Sequence, residues 1–231
     1  MTIQLRPRSG VRQTISHVNL HYATPEDGPA AARLMELLGL VKTQEMPLPT
    51  GGLFYRFTVN EHDINQPDGI VYLSPLPPAT AGLFAAMRER LGVGGPDEHP
   101  AVAAYRAANA IDPEFNLHVG FLVDSLEFIE ERFAALRDDP ELSKRSAILV
   151  NRALPGDPAI DARLDASPLY KDVTRYTYGR NGVQAFISTD LIVDGPLAER
   201  MVIEFDYVFP GYAEHIMSVS EVTPETAREI A

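Results

Sequence analysis

The stretch that decides the fold is NLHVGFLVD at residues 116–124, because ISHVNLHYAT at residues 15–24 repeats it. When the two stretches are laid over each other without gaps, His118 falls on His17. Each stretch has the short, β-rich pattern of a strand, and a helical pattern follows it at once. The pair therefore predicts an internal repeat of a strand that leads directly into a helix.

Helix start signals follow both stretches. Thr24 and Asp27 predict a capping residue and a capping-box acid for the first helix. Asp124 and Glu127 predict the same pair for the second helix. The repeated element is therefore a strand followed by a capped helix.

Each half of the chain continues with three further strand patterns. They are bounded by turn residues and rich in Val, Ile, Phe and Tyr. In the first half they cover residues 40–46, 52–59 and 69–74, and in the second half 147–153, 183–190 and 200–209. Both halves therefore predict the order βαβββ.

This order predicts an α+β fold of two paired modules that form a cupped, mixed and mostly antiparallel sheet with helices outside. The expected parts are a first module at 1–74, a helical connector at 75–113, a second module at 114–209 and a C-terminal tail at 210–231. The connector carries helical patterns at 80–91 and 100–110. The second module carries an insertion at 154–180, where residues 173–178 could add a strand.

Composition narrows the possible functions. The 231 residues include no cysteine, which excludes disulfides and thiolate ligands, and the formal net charge of −12 argues against nucleic acid as a partner. No apolar run reaches membrane length, and residues 1–12 lack the apolar stretch of a secretion signal. We therefore expect a cytoplasmic protein with a small-molecule substrate and no membrane partner, and a homodimer is possible.

A carboxylate inside an apolar strand is the main candidate for function. In MVIEFDY at residues 201–207, alternation places Glu204 on the face opposite Ile203 and Phe205. A carboxylate in such a place must be solvated, paired or bound to a cation. With His17 and His118 it would form two imidazoles and one carboxylate, the set that holds iron(II) with positions open for substrate and dioxygen.

These features resemble the vicinal oxygen chelate superfamily, the group of glyoxalases, bleomycin-resistance proteins and extradiol dioxygenases. The resemblance rests on the paired βαβββ order, the strand-one histidines, the helix ending LLGL at 37–40 and the last-strand Glu204. It implies His17, His118 and Glu204 as ligands of one divalent metal ion. Tyr72 falls at the remaining last-strand position, where four-ligand members carry Glu or Gln.

The ring-cleaving members carry a histidine and a tyrosine ahead of the final glutamate. The corresponding regions here hold Gln184 and Asp194 instead. The remaining candidates for acid–base work are His62, His215, Tyr72, Tyr176 and Tyr178.

The resemblance implies three functions. The first is an iron(II) dioxygenase that acts on a catechol-like or hydroxy-ketone substrate with dioxygen. The second is an isomerase or lyase that uses a redox-inert ion, with Mn, Ni or Zn in place of iron. The third is a metal-free protein that binds a drug or metabolite, in which the same side chains would form a polar network.

Overall fold

The computed structural model describes residues 15–111, 113–153, 155–176, 182–197 and 199–210. The chain divides into two compact units. Unit 1 comprises Met1–Ile111 and Thr189–Met201, and unit 2 comprises Asp112–Ser188 and Val202–Ala231.

The first βαβββ module lies in unit 1. Its elements are β1 (His17–Tyr22), α1 (Gly28–Leu37), β2 (Val41–Pro47), β3 (Leu53–Thr58) and β4 (Ile70–Pro75). The helix begins later than the sequence predicts, because Asp27 occupies the capping position itself and accepts a bond from the Thr24 hydroxyl at 2.9 Å. Two helices follow, α2 (Pro78–Arg90) and α3 (Pro100–Ile111).

The second module has the same order with additions. Its elements are β5 (His118–Val123), α4 (Leu126–Asp138), α5 (Leu142–Arg145), β6 (Ser146–Asn151), α6 (Pro158–Asp165), β7 (Gly182–Asp194) and β8 (Glu199–Val208). Ser125, not Asp124, caps α4 and accepts from the Phe128 backbone N–H at 3.2 Å. Both βαβββ orders, and with them the α+β class, are confirmed.

In the part of the chain that the structure describes, the strands form a mixed, mostly antiparallel set of eight. Hydrogen-bonded neighbours follow the order β2-β3-β4-β1-β7-β8-β5, and β6 pairs with β7. The first and last strands of each module pair in parallel, β1 with β4 and β5 with β8. The division of the chain at residues 74, 113 and 209 stays a prediction.

In unit 1, one face of the sheet is buried. Tyr22, Phe57 and Leu73 are buried in this core, as is Leu34 of α1. The Tyr22 hydroxyl donates to the Leu53 carbonyl at 2.7 Å and accepts from its N–H at 2.8 Å, which fixes the start of β3. The opposite face is more polar, with Asn19 of β1, Tyr72 of β4, Arg56 of β3 and Gln44 of β2 in one cross-strand row.

In unit 2, β8 separates an aromatic face from an acidic one. The Phe205 ring lies 5.5 Å from the Phe121 ring and 6.2 Å from the Phe133 ring of α4, centroid to centroid. Glu204 is on the other face, as strand alternation predicts. The aromatic contacts fix the orientation of β8, so Glu204 and Asp206 lie on the face away from α4.

The predicted insertion at 154–180 contains a helix that the sequence does not signal clearly. Asp157 caps α6 by accepting from the N–H groups of Ala159 and Ile160 at 2.9 and 3.2 Å. Arg163 of α6 donates to Glu127 and Glu130 of α4 at 2.8 and 2.9 Å. Of the possible strand at 173–178, the described residues show one bridge, between Tyr176 and Arg152.

Candidate metal centre

The candidate centre in unit 2 is built on the parallel pair of β5 and β8. The register places His118 opposite Val202 and Gly120 opposite Glu204. A short 3₁₀ turn, Pro113–Phe115, leads towards β5 and carries Glu114. Side chains from this turn, from β5 and from β8 can therefore meet within one unit.

The ligand atoms of Glu114, His118 and Glu204 all lie within 4.8 Å of one another. His118 Nε2 is 3.0 Å from Glu204 Oε2. Glu204 is 3% exposed, so its charge has to be balanced by neighbouring groups and not by water. The three side chains form a group that could hold a metal ion.

Hydrogen bonding fixes the orientation of the His118 ring. Its Nδ1 lies 2.8 Å from the Asn116 backbone carbonyl, which can only accept, so Nδ1 carries a proton. In the neutral ring this leaves the lone pair on Nε2, the atom that faces Glu204. A backbone carbonyl behind the ring is the usual support of a metal-binding histidine.

The same contacts change the protonation of His118. Its hydrogen bond to Glu204 raises the pKa of His118 to about 9, although partial burial acts in the opposite direction. Without a metal, the ring is therefore a cation paired with Glu204 at neutral pH. A metal ion has to displace that proton, so metal binding should release protons.

Gln184 of β7 holds the two glutamates together. Its side-chain Nε2 donates to Glu114 Oε2 at 2.7 Å and to Glu204 Oε1 at 2.8 Å. On its other side, Gln184 Oε1 is 3.5 Å from Asn151 Nδ2, and Asn151 accepts from Arg175 at 3.1 Å. A neutral amide thus keeps two carboxylates at a short distance without neutralising either.

A third carboxylate lies beside the pair. Burial, together with the charge of neighbouring Glu204, holds the pKa of Asp206 well above its usual range. Gly120 faces this group, and a Cβ there would lie 3.4 Å from Glu204 Oε2 and 3.8 Å from Asp206 Oδ2. The missing side chain leaves room above the carboxylates.

The donor chemistry fits a divalent cation. One imidazole and two carboxylates suit ions such as Mn²⁺, Fe²⁺ and Zn²⁺, and a third acid, Asp206, lies nearby. The predicted partners His118 and Glu204 are brought together here. The sequence prediction gave a second imidazole as the third ligand, whereas the third member of this group is Glu114.

His17 and Tyr72 lie together in unit 1. Their ring centroids are 5.0 Å apart, and His17 Nδ1 is 3.2 Å from the Ser16 hydroxyl. Asn19 and Tyr72 are register partners, so Tyr72 occupies in β4 the place that Glu204 occupies in β8. The role of His17 as a metal ligand stays a prediction.

The other acid–base candidates are placed as follows. His62 is in the 3₁₀ turn Glu61–Asp63 of unit 1, with its side chain 72% exposed and Nε2 3.9 Å from Asp63 Oδ1. His215 and Tyr178 lie outside the described residues. Their catalytic roles also stay predictions.

Sequence reasoning missed Glu114 as a member of this group. It sits in a Pro-Glu-Phe turn where no strand or helix period identifies a shared face. The available signal was an acid four positions ahead of a candidate ligand, just before a strand. Gln184 was noted only as a replacement for a histidine, and its two donated hydrogen bonds depend on tertiary structure.

Comparisons with known proteins give similarity at the level of structure. No family model matches the sequence, and no curated protein matches it. Six solved chains match. One is a glyoxalase/bleomycin resistance protein/dioxygenase from Nocardioides, 15% identical with a TM-score of 0.37, covering 91% of this chain and 93% of that chain.

Two further solved structures show the same range of similarity. A glyoxalase/bleomycin resistance protein/dioxygenase family enzyme from Burkholderia phytofirmans PsJN is 13% identical, with a TM-score of 0.31 and coverage of 84% of this chain and 98% of that chain. A xylose isomerase-like TIM barrel/4-hydroxyphenylpyruvate dioxygenase fusion protein is 14% identical, with a TM-score of 0.22; the match covers 95% of this chain and 30% of the fusion protein. The fold of this chain follows from its own strand order and registers.

Among the described residues, no helix is long and apolar enough to cross a membrane.

Proposed function

We propose that this chain is a mononuclear metal-dependent enzyme of the vicinal oxygen chelate type, and that Glu114, His118 and Glu204 hold its divalent metal ion. The observation that carries the proposal is the convergence of their three ligand atoms within 4.8 Å in unit 2.

The charge balance of the cluster supports a cation. Three acidic side chains, those of Glu114, Glu204 and Asp206, surround one imidazole. Glu204 is 3% exposed. Close like charges in a poorly hydrated place repel each other, and a divalent ion is the most direct way to neutralise them. Gly120 leaves the space in which such an ion and a ligand could be accommodated.

Residues around the ligands would prepare the site. The Asn116 carbonyl keeps the His118 Nε2 lone pair directed at the carboxylates, and Gln184 keeps Glu114 and Glu204 adjacent. Asp206 lies beside Glu204, and in the metal-free chain burial and the charge of Glu204 raise the pKa of Asp206. A bound divalent ion would polarise two adjacent substrate oxygens and, if it were iron(II), would also activate dioxygen.

The first activity to test is an iron(II) dioxygenase reaction on a catechol-like or hydroxy-ketone substrate. Iron(II) in such enzymes is typically held by two imidazoles and one carboxylate, so this form of the proposal keeps His17 as a predicted ligand. His17 and His118 are the strand-one histidines of the two modules.

The second carboxylate in the group favours another activity. A site with Glu114 and Glu204 is richer in oxygen donors, which suits Mn²⁺ and other ions that stay in one oxidation state. The same side chains would then serve an isomerase or lyase that stabilises an enediolate.

The test is metal content followed by activity. We expect about one divalent ion per chain after anaerobic iron(II) loading, and loss of that ion in His118→Gln. Oxygen uptake with catechols by the iron-loaded protein would support the dioxygenase, and turnover of hydroxy-ketones with Mn²⁺ or Zn²⁺ but no oxygen uptake would support the isomerase or lyase. No metal in the wild-type protein would overturn the enzyme proposal and leave a metal-free binding protein, whose His118–Glu204 ion pair would be its resting form.

A further inference from the structure

Unit 1 contains a hollow that has no part in the candidate metal centre. Its volume is about 600 Å³, and it is lined by Thr43 and Gln44 of β2, Arg56 of β3 and the loop at residues 64–67. Small-molecule sites commonly have volumes of roughly 300–1,000 Å³. The hollow is therefore large enough for a compact organic ligand.

A β-bulge in β2 orients the Arg56 side chain towards the hollow. The register of β2 against β3 shifts between Lys42 and Gln44, so Thr43 is the extra residue. The Thr43 hydroxyl donates to the Arg56 carbonyl at 3.1 Å and accepts from Arg56 Nη1 at 2.7 Å. Bulges often redirect a side chain beside a functional site, and this one orients a guanidinium.

The hollow is free of acid although the protein is strongly acidic. The chain has 32 Asp and Glu against 20 Lys and Arg, yet none of the lining residues is acidic. Within the described residues, the side-chain partner of Arg56 is the neutral Thr43 hydroxyl. Most of its guanidinium N–H groups therefore stay available to a ligand.

Glu45, the acid that follows Gln44 in the sequence, is paired with another residue. Glu45 bonds to Lys42 at 3.2 Å, and Lys42 Nζ lies 5.9 Å from the centre of the Tyr55 ring. In the strand register, Glu45 lies opposite Tyr55 and Lys42 lies opposite Phe57, and both partners are on the buried face of β3. Gln44 lies opposite Arg56. The charge of Glu45 is thus compensated on the other face of the sheet.

The loop on the other side of the hollow is held in place by buried Asp63. Asp63 accepts from Asn60 Nδ2 at 2.9 Å, and its carbonyl accepts from the Gln66 N–H at 2.8 Å. The loop contributes the amides of Asn65 and Gln66 and the apolar side chain of Ile64, which is 40% exposed. These residues offer polar groups and an apolar wall beside Arg56.

We propose that this hollow binds the carboxylate of a small organic acid, with Arg56 as the anchor and Gln44, Asn65 and Gln66 as neutral partners. A planar guanidinium matches a carboxylate in a two-point contact, and a single cation balances a single negative charge. Ile64 and Pro67 would contact the apolar body of the acid. The site is in unit 1 and does not depend on the metal proposed for unit 2.

The test is a titration of metal-free protein with sodium benzoate, at pH 7 and at constant ionic strength adjusted with sodium chloride. Backbone amide shifts are followed by NMR. We expect saturable shifts at Gln44, Asn65 and Gln66, and affinity at least tenfold lower in Arg56→Gln. Thr43→Val keeps the charge but loses the orienting hydroxyl, so it should weaken binding by a smaller factor.

Arg90→Gln is the matched control, because Arg90 is an exposed arginine of α2 in the same unit. It removes the same charge and should bind benzoate like the wild type. Equal binding by Arg56→Gln and wild type, or no saturable shifts at the hollow, would overturn the proposal. Tighter binding of inorganic phosphate than of benzoate would overturn the choice of a carboxylate.

Discussion

Two parallel strand pairs, β1 with β4 in unit 1 and β5 with β8 in unit 2, share one register and carry different side chains. Where unit 1 has Tyr72, unit 2 has Glu204. The strand-one histidine follows this difference: His17 lies against the Tyr72 ring, whereas His118 forms an ion pair with Glu204 at 3.0 Å.

The adjoining strand extends the contrast. Beside Tyr72, β3 carries Arg56, the positive group of the hollow. Beside Glu204, β7 carries Gln184, which donates to two carboxylates. If both proposals hold, a repeated backbone fixes the positions of the side chains, and a few of those side chains decide whether a module binds an anion or a cation.

The largest effect should come from removing the charge that distinguishes the modules. Glu204→Gln keeps the size of the side chain and the acceptor for Gln184, but removes an anionic ligand. Loss of an outer-shell partner costs about 10- to 100-fold in metal affinity, so loss of this ligand should cost at least ~100-fold. Calorimetric titration with Mn²⁺ measures it. Tyr72→Phe, the corresponding change in unit 1, should leave Mn²⁺ affinity unchanged, and wild-type affinity in Glu204→Gln would remove Glu204 from the site.

The second prediction concerns pH. The pKa of His118 is raised to about 9 by its bond to Glu204, against roughly 6.5 in the unfolded chain. The folded state therefore favours the protonated ring, so this stabilisation is complete below about pH 6.5 and is lost as the pH rises through about 9. We expect it to be worth on the order of 1–2 kcal/mol after allowance for solvent screening.

Urea unfolding of metal-free protein at pH 6.5, 8 and 10 checks this prediction. The difference in unfolding free energy between wild type and His118→Gln should shrink across that range. Taking this difference cancels the contributions of other titrating groups. A difference that stays constant or grows with pH would mean that the His118–Glu204 pair does not stabilise the folded state.

A smaller effect is expected from filling the space above the carboxylates. In Gly120→Ala, the new methyl group would lie 3.4 Å from Glu204 Oε2, an ordinary contact distance. Folding stability should therefore change little, while Mn²⁺ affinity falls several-fold because the methyl group narrows access to the ligands. Asn19→Ala, at the matching register position of β1, should have no effect on Mn²⁺ affinity. Unchanged affinity in Gly120→Ala would mean that the metal approaches from elsewhere.

The smallest effect is expected from removing the N-cap side chains of α1 and α4, the helices that follow the repeated strands. Ser125 caps α4 through its hydroxyl, whereas the Asp27 side chain makes no capping bond to α1. Loss of a side-chain cap typically costs about 1 kcal/mol. Ser125→Ala should therefore lower the free energy of unfolding by about that amount, and Asp27→Ala by less. Thermal unfolding of both variants gives the comparison, and equal losses would show that the cap of α4 contributes nothing special.

Much of the fold could be predicted because periodicity and turn residues are local signals. The repeated strand–helix pattern and the three following strands appear in both modules in the expected order. The two helix starts were misplaced by three positions and by one, since Thr24, Asp27, Asp124 and Ser125 are all acceptable caps by residue type. Helix α6 was missed because its Pro- and Asp-rich start has the composition of a loop, although Asp157 and Pro158 are a good cap and first residue.

The candidate sites were less predictable because they depend on long-range geometry. Strand alternation was enough to place Glu204 on the face away from the aromatic cluster, and the repeat was enough to select His118. Glu114 comes from a 3₁₀ turn, which has no useful period. The hollow at Arg56 depends on a bulge at Thr43, and no residue of β2 predicts that bulge.

The most direct test of the central claim is the Mn²⁺ stoichiometry of Glu114→Gln, measured by electron paramagnetic resonance of free Mn²⁺ beside wild type and His17→Gln. If unit 2 holds the ion through Glu114, His118 and Glu204, wild type binds about one Mn²⁺ per chain and Glu114→Gln binds much more weakly. Wild-type binding by Glu114→Gln, with loss of binding in His17→Gln, would contradict the account and restore the two-histidine set that the sequence predicts.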